Sequence, residues 1–294
     1  MDIAFALITA ISYGLDVFFV RKGLLKTPFP IVAAFITLTI NLSIFIVLFL
    51  IFVPVEFLKL DLIYIFILAG ILAPGCARTL SYKGLETLGM SISIPIVNAE
   101  SLFSVLMALI FLKEPMNLAI GTGILSVVTG IVLLSYETDR KKREESSKKI
   151  HYRYLFYPIT ASIFYGVSVF LRKLGLNIVG SPILGATLTL GTSWCLVTVF
   201  LFTSGNAKEL LQVKKQSFIY FVIGGVLTCI GWLALFSALN IGKVIIVSTI
   251  ATSYSLVTLV LSYLFLRRVE RLSLKIVVAT ILIVGGVIVL SVAR

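Results

Sequence analysis

The sequence predicts an all-α integral membrane protein whose ten transmembrane helices form two inverted five-helix repeats. Of its 294 residues, 59% are hydrophobic and 13% are charged. A soluble domain carries roughly 25% charged residues, so this chain cannot cover a water-facing surface and lipid must be its main solvent. A charged stretch divides the apolar segments into two sets of five, and short sequence motifs of the first set are repeated in the second.

Ten apolar segments are close to the length of a membrane span, which is about 20 residues. Lipid tolerates only helices or closed barrels, and these segments lack the alternation of barrel strands. We therefore expect each segment to be a helix. The candidate spans are residues 3–20, 29–53, 60–82, 91–112, 116–136, 154–171, 182–202, 218–239, 244–266 and 272–292.

The longest polar stretch is ETDRKKREESSKKIHYR, at residues 137–153. Its alternating charges indicate a solvated linker, so we expect residues 1–136 to form the first repeat and residues 154–294 the second. The first span follows Met1-Asp2 without a basic region or a small-residue cleavage site. We expect it to be retained and not removed as a signal peptide.

The two halves share a sequence motif. SYGLDVFFVRKG at residues 12–23 corresponds to FYGVSVFLRKLG, which lies 152 positions later. Tyr13 and Tyr165 open the matching parts, and serine (Ser168) replaces Asp16 in the second copy. Because five spans are an odd number, the second half must enter the membrane from the opposite side. Inverted repeats of this kind typically provide alternating access to a site near the membrane midplane.

The net charge of +12 lies mostly in short loops. Eighteen lysines and arginines fall in the odd-numbered loops, against five in the even-numbered loops, where Arg172 and Lys173 are counted. The positive-inside rule then places the linker in the cytoplasm and both termini outside. Basic loops beside apolar spans indicate membrane lipids as the partner, and no nucleic acid.

Signatures of catalysis and of metal binding are missing from the sequence. His151 is the only histidine, and the three cysteines are far apart in apolar segments. A catalytic triad, a histidine-rich metal site and a disulfide framework are therefore excluded. No Walker A stretch is present, so ATP does not drive the chain directly. We expect no enzyme and no cofactor.

Two carboxylates lie inside predicted spans, where a charged group is costly and usually faces a polar cavity or a partner. Asp16 either binds a proton or a cation on the transport path, or pairs with Arg21 near the membrane interface. Glu100 is about ten residues from either end of its span, so it cannot reach the interface. It either acts in transport or forms a structural hydrogen bond to a neighbouring helix. Pro95 removes a backbone donor nearby and can open this helix toward a cavity.

Arg78 and several aromatic residues are further candidates. Arg78 either neutralises Glu100 or an anionic group of a substrate, or extends its side chain to the interface. The aromatic residues either line a pocket or belong to the interfacial belt. The complete set of candidate substrate- or ion-binding residues is Glu100, Asp16, Tyr13, Tyr165, Asn98, Tyr254, Ser168, Arg78, Tyr82, Trp232, Ser248 and Thr252.

The chain resembles the EamA-type branch of the drug/metabolite transporter superfamily. The resemblance rests on two inverted five-helix sets, the aromatic-glycine pairs at Tyr13 and Tyr165, Glu100 in the fourth span, and FLKEP before the fifth. This chain has tyrosine where the family usually has tryptophan, and no arginine in the second span. The resemblance implies a transporter, with both termini in the cytoplasm, opposite to the loop charges.

We therefore expect a secondary active transporter of the cell membrane that moves a small polar metabolite, an amino acid or similar, by alternating access. The resemblance implies export, and protons are a candidate second partner. One alternative is a proton-coupled exporter of lipophilic cations, which a cavity dominated by carboxylates would favour. Another is a membrane scaffold or sensor that transports nothing, which predicts no cavity between the halves.

Overall fold

The computed structural model describes residues 1–53, 63–112, 118–119, 121–123, 125–126, 129–130, 133, 152–242, 247, 250–251, 253–266 and 273–292. Within these ranges the chain is helical and contains no β-strand. Six of the described helical segments are long and apolar enough to cross a membrane, when Ile63–Leu88 is counted as one segment. Most of the predicted span 116–136, and the linker up to residue 151, lie outside the described residues.

The helices follow the predicted spans in order, with some different ends. Proline opens α2 and α8, where its missing N–H costs nothing, and the Ser181 hydroxyl caps α8 by accepting from the Leu184 N–H. The helices are α1 (Asp2–Leu24), α2 (Pro30–Phe52), α3 (Ile63–Gly70), α4 (Ala77–Leu88), α5 (Met90–Val97), α6 (Glu100–Leu112), α7 (Phe156–Val179), α8 (Pro182–Thr203), α9 (Lys215–Ile241), α10 (Tyr254–Phe265) and α11 (Leu274–Val292).

The third span is broken between α3 and α4 by a π-helical stretch, Ile71–Cys76. Ala73 has φ −150° and ψ 131°, and Pro74 has no N–H to donate, so backbone carbonyls lose their helical partners. The Ser168 hydroxyl donates to the carbonyls of Ala69 (2.8 Å) and Ala73 (3.0 Å), and Arg172 Nη2 donates to Ala73 (2.7 Å). Side chains of α7 thus replace the missing helical bonds, as lipid requires.

The fourth span is also discontinuous. α5 ends at Val97, and a turn at Asn98 precedes α6, which begins at Glu100. In the second half, α10 begins at Tyr254, which follows Glu100 by 154 positions and so matches it in the repeat. Glu100 and Tyr254 therefore occupy equivalent helix starts.

Glycines of the repeated motif make equivalent close contacts in both halves. A Cβ on Gly14 would lie 2.5 Å from Val257 Cγ1 of α10, and a Cβ on Gly166 would lie 2.6 Å from Phe103 Cβ of α6. These distances are too short for real side chains. The glycine after each tyrosine therefore lets the first helix of one half pack against the broken helix of the other half.

Two groups of helices each combine both halves of the chain, and α2 and α8 pack against members of both groups. In the α1 body (α1, α9 and α10), α1 packs along α9 and against α10. In the α7 body (α3, α4, α6 and α7), α7 packs against the other three helices. Helices α1 and α9 run antiparallel, because Gly23 near the end of α1 meets Phe221 near the start of α9, while Gly242 after α9 meets Asp2.

Two cations bridge the bodies at opposite ends of the α1/α9 pair. Arg21 Nη1 of α1 donates to the carbonyls of Leu85 (2.5 Å) and Glu86 (3.4 Å) near the end of α4. Lys173 Nζ of α7 donates to the carbonyls of Leu239 (2.8 Å) and Gly242 (3.3 Å) at the end of α9. We call these contacts the Arg21 latch and the Lys173 latch.

The latches are equivalent in the repeat. Lys173 follows Arg21 by 152 positions, and Leu239 follows Leu85 by 154. In both cases a cation approaches the last carbonyls of a helix, where the helix dipole favours positive charge.

The structure corrects the loop assignment of Arg172 and Lys173. The span predicted at 154–171 corresponds to Phe156–Val179, so both residues lie inside α7. Arg21 and Lys22, counted in the first loop, lie in the last turn of α1. A loop count cannot recognise such cations, because their partners are carbonyl groups and rings from distant parts of the chain.

Candidate functional site

A cavity of about 80 Å³ lies between the two bodies, with room for about two to three water molecules at roughly 30 Å³ each. Both bodies contribute polar and apolar side chains, and α5 adds two apolar ones. The lining residues are Tyr13, Asp16, Val17, Thr228, Trp232, Leu235 and Tyr254 from the α1 body, Ile94 and Val97 from α5, and Arg78, Ser81, Tyr82, Glu100, Tyr165, Val169 and Arg172 from the α7 body.

Most of the candidate residues meet in this cavity. Those that line it are Glu100, Asp16, Tyr13, Tyr165, Tyr254, Arg78, Tyr82 and Trp232. Ser168 and Asn98 are buried but are not among the lining residues. Ser168 instead binds the carbonyls of the broken third span, and Asn98 forms the turn before α6. Ser248 and Thr252 lie outside the described residues.

Asp16 is almost completely buried, with 6% of its surface exposed. Its Oδ1 atom has no hydrogen-bond partner within the described part of the chain. Gly224 of α9 permits this burial, since a Cβ there would lie 2.8 Å from Asp16 Oδ1. The Arg21 guanidinium, the partner suggested by the interfacial interpretation, binds the carbonyls of Leu85 and Glu86. Asp16 is therefore a buried carboxylate in the wall of the cavity.

Arg78 is 4% exposed and lines the same cavity from the α7 body. It lies in the first turn of α4, which continues to Leu88 and not to the predicted end at residue 82. Ten residues of helix therefore separate it from that end, which disfavours an interfacial position. Its Nη1 atom has no hydrogen-bond partner among the described residues.

Arg172 is the charged residue of the cavity that sequence reasoning missed. It is 2% exposed, donates to the Ala73 carbonyl at 2.7 Å, and its guanidinium lies 4.5 Å from the centre of the Trp232 ring. Helical spacing could have identified it, because Tyr165, Ser168 and Arg172 recur every three to four residues on one face of a helix. The underestimated length of this span hid the pattern.

Glu100 is partly exposed in the cavity as the first residue of α6. With Asp16, Arg78 and Arg172 it makes two carboxylates and two guanidinium groups. No ion pair joins any two of these four groups, all of which the structure describes. The cavity thus holds balanced but separated charges, whose interactions are stronger than in water because the surroundings are poorly polarisable.

Aromatic rings complete the wall. The Tyr13 and Tyr254 rings pack edge to face with centroids 6.0 Å apart, and the Tyr82 hydroxyl lies 3.5 Å from Thr37 Oγ1. Trp232 stacks on Phe236 at 5.4 Å, while its ring also contacts Arg172. Tyrosine presents an apolar ring and a hydroxyl that can donate or accept, which suits contact with a small polar molecule.

Residues 1–136 and 153–292 both match the EamA-like transporter family. The chain therefore belongs to this family of the drug/metabolite transporter superfamily, and the resemblance drawn from the sequence is confirmed. The chain is therefore of the class of multi-pass membrane transporters. Members of the family are transporters and not enzymes.

Two further comparisons relate the chain to other proteins. A segment of 138 residues is 29% identical to an uncharacterized protein of Methanocaldococcus jannaschii, covering 46% of this chain and 94% of that protein. That relative is therefore about half as long as this chain. A crystal structure whose description states no function aligns with a TM-score of 0.65 at 15% identity, covering 97% of each chain, which shows a shared fold.

Proposed function

We propose that this protein is a secondary active transporter that moves a small polar metabolite, an amino acid or a compound of similar size, by alternating access. The observation that carries the proposal is a small cavity of balanced charge that lies between two bodies. Each body combines helices from both halves of the chain. Rocking one body against the other would open the cavity at one end or at the other.

The proposal includes ten transmembrane helices as two inverted five-helix repeats, residues 1–136 and 154–294, joined by the linker 137–153. Equivalent contacts in the two halves support it, notably those of Gly14 and Gly166 and the two latches. The antiparallel packing of α1 against α9 also fits a second half that enters the membrane from the opposite side.

Within this mechanism we assign Glu100, with Asp16, to the exchange of a proton or of a cationic group of the substrate. The position of these carboxylates between the bodies supports that role, because rocking would change their access to water. Asp16 has no acidic counterpart in the second half, where Ser168 holds backbone carbonyls. The two halves thus share a shape while the acidic chemistry lies in the first half.

Export across the cell membrane is the direction that membership of the family suggests. Loop charges favour a cytoplasmic linker, whereas the resemblance implies the opposite. A single cysteine introduced in the linker and labelled in intact cells with a membrane-impermeant maleimide distinguishes the two orientations. Labelling without permeabilisation supports the orientation implied by the family.

Two alternatives are less well supported. A carrier of lipophilic cations requires a cavity dominated by carboxylates, but Arg78 and Arg172 add two positive charges, and the volume is small. A scaffold or sensor that transports nothing predicts no cavity between the halves, and a cavity is present.

The proposal is tested by the thermal stability of the purified protein with separate pools of amino acids, sugars, nucleosides, polyamines and lipophilic cations. A ligand at 100 times its dissociation constant stabilises the native state by about 2.7 kcal/mol. We expect one pool of small polar compounds to raise the melting temperature and the Glu100→Gln variant to lose the shift. Glu209→Gln, outside the cavity, is the matched control and should keep it.

Uptake into proteoliposomes then tests transport itself. We expect the stabilising compound to cross in the wild type and in Glu209→Gln, but not in folded Glu100→Gln. Full transport by Glu100→Gln would remove Glu100 from the mechanism. Failure of every pool to bind or to cross would contradict the transporter assignment of this cavity.

A further inference from the structure

We infer that an anionic phospholipid binds in a groove between α4 and α8, with one acyl chain in the groove and its phosphate beside Lys83. The groove is separate from the cavity between the bodies, and the lipid is not the transported compound. This inference goes beyond the proposed function, because it concerns a partner from the surrounding membrane. The feature that creates the groove is the break in the third span.

The break directs α4 away from α8. Before the break, α3 and the π-helical stretch pack against α8, and the Ser193 hydroxyl donates to the Gly70 carbonyl at 2.7 Å. A Cβ on Gly75 would lie 3.5 Å from Leu196 Cδ2, so the two segments are still in contact there. After the break, α4 packs against α2 and α7. A groove of about 500 Å³ therefore opens between α4 and α8.

The lining of the groove is apolar. None of the described residues that line it is charged, and its two threonines form hydrogen bonds within their own helices. The Thr79 hydroxyl donates to the Gly75 carbonyl (3.4 Å), and the Thr203 hydroxyl donates to the Val199 carbonyl (2.8 Å). Neither hydroxyl therefore requires a polar ligand, whereas the methyl groups and the ring of the lining suit an alkyl chain. The lining residues are Gly75, Cys76, Thr79 and Leu80 from the third span, Phe164 from α7, and Leu196, Val197, Val199, Phe200 and Thr203 from α8.

The length and the taper of the groove suit one acyl chain. From Leu196 to Thr203, α8 advances roughly 10 Å at 1.5 Å per residue, which is about two thirds of a bilayer leaflet of roughly 15 Å. The groove closes near Gly75 and Leu196 and opens toward the end of α8. A single alkyl chain can fill such a cleft, whereas a helix with its side chains is about 10–12 Å wide.

The fifth predicted span packs elsewhere and does not cover the groove. Two of its described residues contact α11: the Ser126 hydroxyl donates to the Leu282 carbonyl at 2.8 Å, and a Cβ on Gly130 would lie 2.6 Å from Ile283 Cγ1. Helix α11 itself packs against α5, α6 and α10. Lipid is therefore the occupant that the groove fits, because a space without neighbouring atoms would forfeit dispersion contacts.

The positive charge at the open end of the groove favours an anionic headgroup. Lys83 lies one helical turn beyond Thr79 on the same side of α4, and its side chain is 40% exposed. Its ammonium group pairs with Glu86 at 2.6 Å, and an ammonium has three N–H donors, so others can bind a phosphate. Glu209, in the segment after α8, interacts electrostatically with Lys83 and Glu86, which indicates that this segment lies beside the end of α4.

This end of the protein has more basic than acidic residues. It comprises the last turns of α1 and α4 and the segments that follow α1 and α8. Basic residues near the membrane surface attract anionic lipids. The basic residues here are Arg21, Lys22, Lys26, Lys83, Lys208, Lys214 and Lys215, and the acidic ones are Glu86 and Glu209.

The repeat supplies a matched surface on an unbroken helix. Helix α2 corresponds to α8, since Pro30 and Pro182 open them 152 positions apart. Helix α9 corresponds to the third span and is continuous from Lys215 to Ile241. Val47 of α2 corresponds to Val199 of α8, and the two are similarly exposed, at 54% and 62%. A change at Val47 is therefore the control for the same change in the groove.

The test titrates the purified full-length protein in detergent with dioleoyl phosphatidylglycerol or dioleoyl phosphatidylcholine and counts bound lipids by native mass spectrometry. The two lipids have the same acyl chains and differ in the charge of the headgroup. We expect one site that prefers phosphatidylglycerol by roughly 5-fold, the gain for one basic residue near an anionic headgroup. A phosphatidylglycerol with a photoreactive diazirine in its acyl chain should crosslink to residues 76–80 and 196–203.

Variants separate the acyl chain from the headgroup. Val199→Trp should fill the groove and abolish the first bound lipid of either kind, and Thr203→Trp is a second replacement at the open end. Val47→Trp should bind both lipids as the wild type does. Lys83→Gln should keep the site but lose the preference for phosphatidylglycerol, whereas Lys22→Gln, in the α1 body, should retain it. Size-exclusion profiles identify variants that fail to fold.

The inference is overturned if Val199→Trp and Val47→Trp bind lipid alike, if the crosslinks map elsewhere, or if the two lipids bind equally. A dimer that Val199→Trp dissociates would also overturn it, because the groove would then be an interface between two copies of the chain. These measurements contain no transported compound, so failure of the lipid site leaves the proposed function standing.

Discussion

Replacing Lys173 by methionine should increase the population of molecules in which the two bodies are separated at the Lys173 end of the transporter. Methionine keeps an unbranched apolar side chain but donates no hydrogen bonds, so the bonds to the Leu239 (2.8 Å) and Gly242 (3.3 Å) carbonyls are lost. Hydrogen bonds to charged groups contribute about 1.5–3 kcal/mol. Because Lys173 is only partly buried, we reduce this to about 1–2 kcal/mol. The open population at that end should rise roughly 5- to 30-fold.

The assay is the rate at which a cavity cysteine reacts with a membrane-impermeant maleimide. Val17→Cys, on the cavity wall, is introduced after the native cysteines Cys76, Cys195 and Cys229 are replaced by serine. Sealed vesicles of known orientation are labelled from one side at a time. Lys173→Met should speed labelling from one side, and Arg21→Met should speed it from the other.

Lys22→Met is the matched control. The Lys22 ammonium lies 4.5 Å from the Phe18 ring centre and 5.6 Å from that of Phe265, and both rings belong to the α1 body. Its loss should leave both labelling rates unchanged. If Lys173→Met and Arg21→Met speed labelling from the same side, or if neither changes the rate, the latches do not control access.

Three further predictions concern the packing that holds the cavity. Gly166→Val should prevent folding or lower the melting temperature sharply in a fluorescence-monitored melt, since the contact with α6 leaves no room for a side chain. Gly191→Ala is the control: its new Cβ would have its nearest neighbour 3.8 Å away, so the variant should be tolerated. Arg172→Met should destabilise the protein by about 2–4 kcal/mol, because it removes a buried charged hydrogen bond and the contact with Trp232. Arg172→Lys should recover part of that loss in the same melt, and equal melting of both variants would contradict the bonding described. Ser168→Ala should cost about 1 kcal/mol yet leave ligand affinity unchanged; a selective loss of affinity would return Ser168 to the binding site.

The sequence by itself determined the membrane class, the doubled chain and the side chains to examine. Polar groups are costly in lipid, so Asp16, Glu100 and Arg78 are conspicuous within apolar spans. The repeat then matched Tyr13 to Tyr165 without any structure. All five of these residues line the cavity, because a polar group inside a span needs either a partner or a water-filled space.

Only the tertiary structure decided how these groups are used. The loss of helical bonds around Ala73 explains why Ser168 and Arg172 point to the third span, and composition does not reveal where that break lies. The role of Lys173 was likewise decided by the tertiary structure. Counting loop charges used it to predict membrane orientation, whereas its ammonium group joins two bodies through hydrogen bonds. A sequence shows which residues lie in a span, but the rotation of a helix and the carbonyls opposite it arise from packing between distant segments.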